Sequence, residues 1–217
     1  MHMVNLDAPE DLDTKNWGTG ERRSLFCVMF SFAKQNDFAG TVHPAVKGLA
    51  MGADRGILVV DEENRASSPQ AVASVLAEVL KQEDFDLILA GTQSDHYSYA
   101  ETGVILAELL GLPHATIVME IEARPAEKTV KALREMESGA FQWVEMPLPA
   151  VLAIQAGISK VRYASLKGIM QAKKKEIRKI NLGDLAIDLD SIPRLEINRH
   201  RAVAGGVGTW FDVTCGG

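Results

Sequence analysis

Asp86-Leu-Ile-Leu-Ala-Gly91, running into Thr92-Gln-Ser-Asp-His-Tyr-Ser-Tyr-Ala-Glu-Thr-Gly103, is the stretch on which the fold turns. Its first six residues read as a buried strand that ends on a glycine. In an open parallel sheet, ligands bind in the crevice past the carboxyl ends of the strands, and this strand delivers the chain to such a crevice. Gly91 lets backbone approach a ligand closely. Thr102 and Gly103 stand at the start of the next predicted helix, where free N–H groups and the helix dipole favour an anion such as a nucleotide phosphate. A polar loop with a Thr cap and no ligand fits the spacing equally well. One Gly-bounded loop is neither a Walker loop nor the dinucleotide glycine fingerprint.

Strands and helices alternate on either side of this segment. Upstream, Leu25–Phe32 is a candidate strand, and a helix is predicted from Pro44 with Val46, Leu49 and Ala50 on its apolar face. Gly52 ends that helix, and Ile57-Leu-Val-Val60 follows as a buried parallel strand, being apolar on both alternating faces. Ser68-Pro69 caps a second helix that carries Val72, Val75, Leu76, Val79 and Leu80 at helical spacing. Downstream, a helix over Thr102–Leu110 ends at Gly111, and His114–Met119 is a third central strand. Thr129–Leu133 and Phe141–Met146 read as a β-hairpin around Glu137-Ser-Gly139. Pro149–Gln155 returns to buried strand. A loop, a short helix, a basic run and an extended tail complete the chain. The alternation argues for an α/β fold with a doubly wound, mostly parallel sheet, a small β-hairpin and a C-terminal arm.

Composition narrows the function. The chain has 217 residues, 47% hydrophobic and 24% charged, as expected of a globular protein. A formal net charge of −6 argues against a nucleic-acid-binding role. Cys27 and Cys215 make no disulfide framework or zinc spacing and read as unpaired thiols. Leu25–Phe32, the longest apolar run, falls far short of the ~20 residues of a spanning helix and lacks the flanks of a signal peptide. These features predict a cytoplasmic protein without membrane insertion, or one of the mitochondrial matrix if eukaryotic, though no transit peptide is seen. No nucleophile–base set or catalytic motif surrounds the Ser and His residues.

Several stretches together resemble the beta (small) subunits of electron-transfer flavoproteins. They are Gly91-x-Gln93 with Glu101-Thr-Gly103, Gly48-Leu-Ala-Met-Gly-Ala-Asp-Arg-Gly-Ile57, Gly111-Leu-Pro-His114, and Val161-Arg-Tyr-Ala-Ser-Leu-Lys-Gly-Ile-Met-Gln-Ala-Lys-Lys-Lys175. The match runs from about residue 44 to residue 180. The resemblance implies a Rossmann-like, adenine-nucleotide-binding domain over residues 41–180, between a divergent segment 1–40 and an arm 181–217. It implies a structural AMP held at Gly91, Thr92, Gln93, Ser94, Tyr99, Ala100, Glu101 and Thr102, and an FAD shared with a large (alpha) subunit.

It also implies a docking segment, with Leu166 as the leucine offered to a hydrophobic pocket on a partner flavin dehydrogenase. Tyr163, Ile169, Met170, Lys173, Lys174 and Lys175 would surround that leucine. Electrons would pass from the dehydrogenase towards a quinone reductase, and the chain would not be catalytic by itself. Residue statistics alone favour Leu166 in the protein's own core, and a lysine run is usually a solvated face. Asp54 and Arg55 read as architecture and His114 as a structural residue at a strand start. Glu135 matches a family acidic residue near the flavin domain, or is a solvated turn carboxylate.

This chain departs from the family within the loop, where His96-Tyr-Ser-Tyr-Ala-Glu101 replaces the usual aspartates and Asn-Gln pair. It departs again in its first 40 residues and in the tail from Gly205. Two rival readings follow: an adenine-nucleotide-binding enzyme of the same fold, with His96 its only candidate at the phosphate, or a vestigial paralogue that binds nothing.

Overall fold

A computed structural model describes residues 24–27, 48–61, 66, 68–93, 98–158, 163–192, 195–202 and 209–215. The start of the helix predicted from Pro44, residues 28–32 of the first strand, Ser94, His96 and the tail segment from Gly205 to Gly208 lie outside these residues.

The fold is α/β, built on a mixed six-stranded sheet. Strand β1 (Ser24–Cys27) pairs in parallel with β3 (Phe85–Gly91), and β3 pairs in parallel with β7 (Ala150–Ile154). On the far side of β7 lies β4 (His114–Arg124), also parallel to it. Beyond β4 the sheet turns antiparallel through β5 (Thr129–Glu135) and β6 (Phe141–Pro147). The order is therefore β1-β3-β7-β4-β5-β6. Strand β7 is buried at every residue, which explains its unbroken Ala-Val-Leu-Ala-Ile run.

Helix α1 (Pro69–Leu80) starts where Ser68 and Pro69 predict. The Ser68 hydroxyl accepts the Ala71 N–H at 3.2 Å, and Pro69 occupies the first turn, where its missing N–H costs nothing. Helix α2 (Thr102–Leu110) ends at left-handed Gly111, and the Leu112 N–H closes back on the Ala107 carbonyl at 2.9 Å. Ala73, Ala77 and Leu80 of α1 pack with Leu106 and Ala107 of α2 over Ile88 and Val151 of the sheet. The opposite sheet face gathers Leu87, Leu89, Ala115, Val118, Leu152 and Ile154 with Val130, Ala132 and Met146 of the hairpin.

Two expectations are corrected. Gly56–Val60 (β2) is parallel, yet it pairs with β8 (Ile177–Asn181) in a separate two-stranded sheet and is only half-buried throughout. Its apolar residues serve a third cluster, where Val59 packs with Val72 and Val75 of α1 and with Leu182 and Leu189. Helix α1 is thus buried on two sides, which accounts for its nearly all-round apolar surface.

The strand expected over 114–119 instead runs to Arg124, because it changes partner partway. The change falls at a bulge around Thr116 and Ile117. Ile117 adopts φ 55°, a strained conformation for a β-branched residue. Arg134 of β5 braces the bulge, donating Nε–H to the Thr116 carbonyl at 3.1 Å and a terminal N–H to its hydroxyl at 3.0 Å.

The last two strands, β9 (Leu195–Ala202) and β10 (Thr209–Cys215), form an antiparallel pair of their own. Among the described residues, no helix is long and apolar enough to cross a membrane.

Candidate functional site: a strand-end crevice and an exposed short helix

The crevice forms where β3 and β7 end side by side. Gly91 faces Ile154 in register, and the next amide, Thr92 N–H, donates to the Ile154 carbonyl at 3.1 Å. The start of α2 lies directly over these ends. A Cβ on Gly103 would meet the Cβ atoms of Ala90 and Ala153 at 3.5 and 3.6 Å, so three small residues let the helix terminus sit against the sheet. The first helical bond is Ile105 N–H to the Glu101 carbonyl at 2.9 Å. The amides of Thr102, Gly103 and Val104 therefore have no acceptor inside the helix, and they point the positive end of its dipole into the crevice.

Two further observations mark the place. The Thr92 hydroxyl is buried and has no hydrogen-bond partner among the described residues, which costs free energy unless something else satisfies it. The loop entering α2 holds Ser98 and Ala100 at φ 51° and 55°, a left-handed conformation that non-glycine residues adopt at a cost. Donors, an orphan hydroxyl and close backbone approach together suit a phosphate. Glu101 and Tyr99 are exposed, and Gln93 is exposed at the strand end. Gly91, Thr92, Gln93, Tyr99, Ala100, Glu101 and Thr102 thus come together at one end of the sheet; Ser94 lies outside the described residues.

The second feature is helix α3 (Leu166–Ala172). Ser165 caps it, accepting the Gly168 N–H at 3.0 Å. Only Ala172 is buried. Leu166 is 77% exposed and Met170 65%, one turn apart on the same side, and Tyr163 just before the helix is 88% exposed. Core burial of Leu166, the choice favoured by residue statistics, does not occur. Ile169 is half-buried, Lys173 and Lys174 are exposed, and Lys175 is half-buried. The Lys175 ammonium donates to the carbonyls of Leu49 and Ala53 at 3.2 and 2.6 Å.

Sequence reasoning did not find Ile117, Arg134 or Glu83. The Glu83 side chain is 6% exposed and takes ion pairs from Arg55 at 2.6 Å and Arg178 at 3.0 Å, which makes Arg55 architectural as expected. It also missed that Phe141 and Trp143 stand exposed on β6, although the exposed Glu145 on the same strand face carries that signal. No group of His, Cys, Asp and Glu suited to a metal occurs among the described residues.

The chain is thus an α/β protein with a strand-end crevice whose donors suit an anion and a short helix whose Leu166 and Met170 side chains stand exposed. A model of the electron transfer flavoprotein domain matches residues 37–185. The chain is 42% identical over 146 residues to the electron transfer flavoprotein subunit beta of Methylophilus methylotrophus, covering 67% of this chain and 55% of that one. It is 39% identical over 158 residues to the same subunit of Bradyrhizobium diazoefficiens (73% of this chain, 61% of that one). The mitochondrial subunit of Arabidopsis thaliana is 36% identical over 161 residues (74% and 63%). The chain belongs to the electron transfer flavoprotein family, among its beta subunits. It spans 55 to 63% of the length of these relatives.

Proposed function

We propose that the chain is the beta subunit of a heterodimeric electron carrier, which accepts electrons from a flavin dehydrogenase and passes them towards a quinone reductase. The exposure of Leu166, with Tyr163 and Met170 beside exposed Lys173 and Lys174, is the observation that carries this reading. Apolar anchors within a polar rim concentrate binding energy at an interface. The lysines add attraction to an acidic partner and speed its encounter.

In this reading the large subunit holds most of an FAD, which supplies the redox chemistry when bound. The chain's own residues bind and orient. The amides of Thr102, Gly103 and Val104 and the Thr92 hydroxyl would receive the phosphate of an AMP. Ala90, Gly103 and Ala153, small enough for the helix start to pack on the sheet, keep those amides close to the strand ends. The chain performs no bond-making step and is not an enzyme alone.

Co-expression with a large subunit tests the reading. The expected product is a yellow heterodimer that releases FAD and AMP on denaturation. A colourless, monomeric chain under those conditions would sink it.

A further inference from the structure

The three lysines that end the docking segment do not share one environment. Lys173 and Lys174 project into solvent, whereas Lys175 turns back onto the protein. Its two acceptors, the carbonyls of Leu49 and Ala53, belong to the end of the helix over residues 48–50 and the turn that follows it. Leu49 lies in the last turn, where its carbonyl accepts only a long bond from the Gly52 N–H at 3.4 Å and stands at the negative end of the dipole. An ammonium group is well suited to that position.

Helix α3 needs such an attachment. At seven residues it is too short to be stable by itself, and it buries only Ala172. Its other tie is steric. A Cβ on Gly168 would collide with the Ala50 carbonyl, so the helix backbone lies directly on the same turn. One step further along the chain, the Gly56 N–H donates to the Glu176 carbonyl at 3.0 Å and starts the β2–β8 pairing. Gly168, Lys175 and Glu176 therefore all grip residues 49–56.

We propose that Lys175 is a positioning residue: it clamps helix α3 to the turn over residues 49–53 and so fixes the direction in which Leu166 and Met170 are presented. This rests on the docking reading above and divides the lysine run by task. Lys173 and Lys174 supply the field that a partner meets, and Lys175 sets the geometry of the anchors.

The test compares Lys175→Met, which keeps the aliphatic stem but removes the donors, with Lys174→Met. Amide hydrogen exchange is followed in the 217-residue chain, and electron acceptance from the dehydrogenase is followed in its FAD-loaded heterodimer with the large subunit over a range of salt concentrations. Lys175→Met is expected to speed exchange of the α3 amides by about tenfold, with β7 unchanged, because charge-assisted bonds holding the helix are gone. It should also slow electron acceptance several-fold without altering its salt dependence. Lys174→Met should leave α3 exchange unchanged and flatten the salt dependence.

Wild-type exchange at α3 in Lys175→Met would overturn the proposal. So would a salt dependence flattened as much as in Lys174→Met, since the charge would then face the partner. If Lys175→Met does not fold, Lys175→Arg takes its place. Its planar fork cannot reproduce the point contacts of an ammonium, so faster α3 exchange at unchanged salt dependence is again expected, and wild-type exchange again overturns the idea. Faster α3 exchange alongside no electron acceptance by any variant, wild type included, would support the clamp and refute the carrier reading.

Discussion

Helices α1 and α3 begin alike and end differently. Each opens on a serine whose hydroxyl accepts an N–H three residues on, Ser68 from Ala71 and Ser165 from Gly168. Each carries apolar residues at helical spacing. In α1 those residues are inside: Ala71, Val72, Ala73, Val75, Ala77, Val79 and Leu80 are all buried. In α3, Leu166 and Met170 are outside, Ile169 is half-buried, and Ala172 alone is buried. The cap decides where a helix starts, and the neighbouring elements decide what its apolar face is for. Two layers sandwich α1; α3 lies across a single turn and leaves Leu166 and Met170 unpartnered among the described residues.

The contrast can be broken by mutation. Leu80→Ala empties a packed site between α1, α2 and the sheet, and should cost about 3 kcal/mol in urea unfolding. Gly168→Ala drives a methyl group into the Ala50 carbonyl, a backbone atom that cannot swing aside. It should cost about 2 kcal/mol and increase protease cleavage near α3. Leu166→Ala should change stability by less than about 0.5 kcal/mol, because the side chain already stands in solvent. Electron acceptance from the dehydrogenase should nevertheless fall about tenfold, as for a central interface anchor. Were Leu166→Ala to destabilise the chain as much as Leu80→Ala, the two helices would be alike after all and the docking reading would fail.

Much of this was legible in the sequence, for identifiable reasons. Ser68-Pro69 followed by a 3.6-residue apolar period left little choice about α1, and Gly111 marked the end of α2 because only a left-handed residue closes the turn there. The hairpin around Glu137-Ser-Gly139 was equally plain. Partners were harder to read. The apolar run over Ile57–Val60 announces burial but not against what, and it was assigned to the wrong sheet. Periodicity also cannot distinguish a leucine aimed at the core from one left in solvent, and only the folded chain shows Leu166 to be the latter.

Lys175 is one of three identical neighbours, and its distinct role comes from a turn more than a hundred residues away. The bulge at Ile117 was hidden by its residue type, since isoleucine ordinarily favours regular strand. At the crevice, glycines and a helix start located the strand-end site, whereas the unpartnered Thr92 hydroxyl appears only once β3 and β7 are set side by side.

The position of β7 has a consequence for how the chain comes to be made. In the sheet it lies between β3 and β4, yet it is synthesised after both, and after the whole β5–β6 hairpin. Strands β3 and β4 cannot join until residue 154 has left the ribosome, so for much of translation each presents a bare parallel edge. The crevice needs Ile154 to fix Thr92, and is therefore among the last parts of the sheet to assemble. A nascent chain stalled before β7 would hold α1, α2 and the hairpin but lack the strand-end crevice, and its two open edges would be the first surfaces to find a wrong partner.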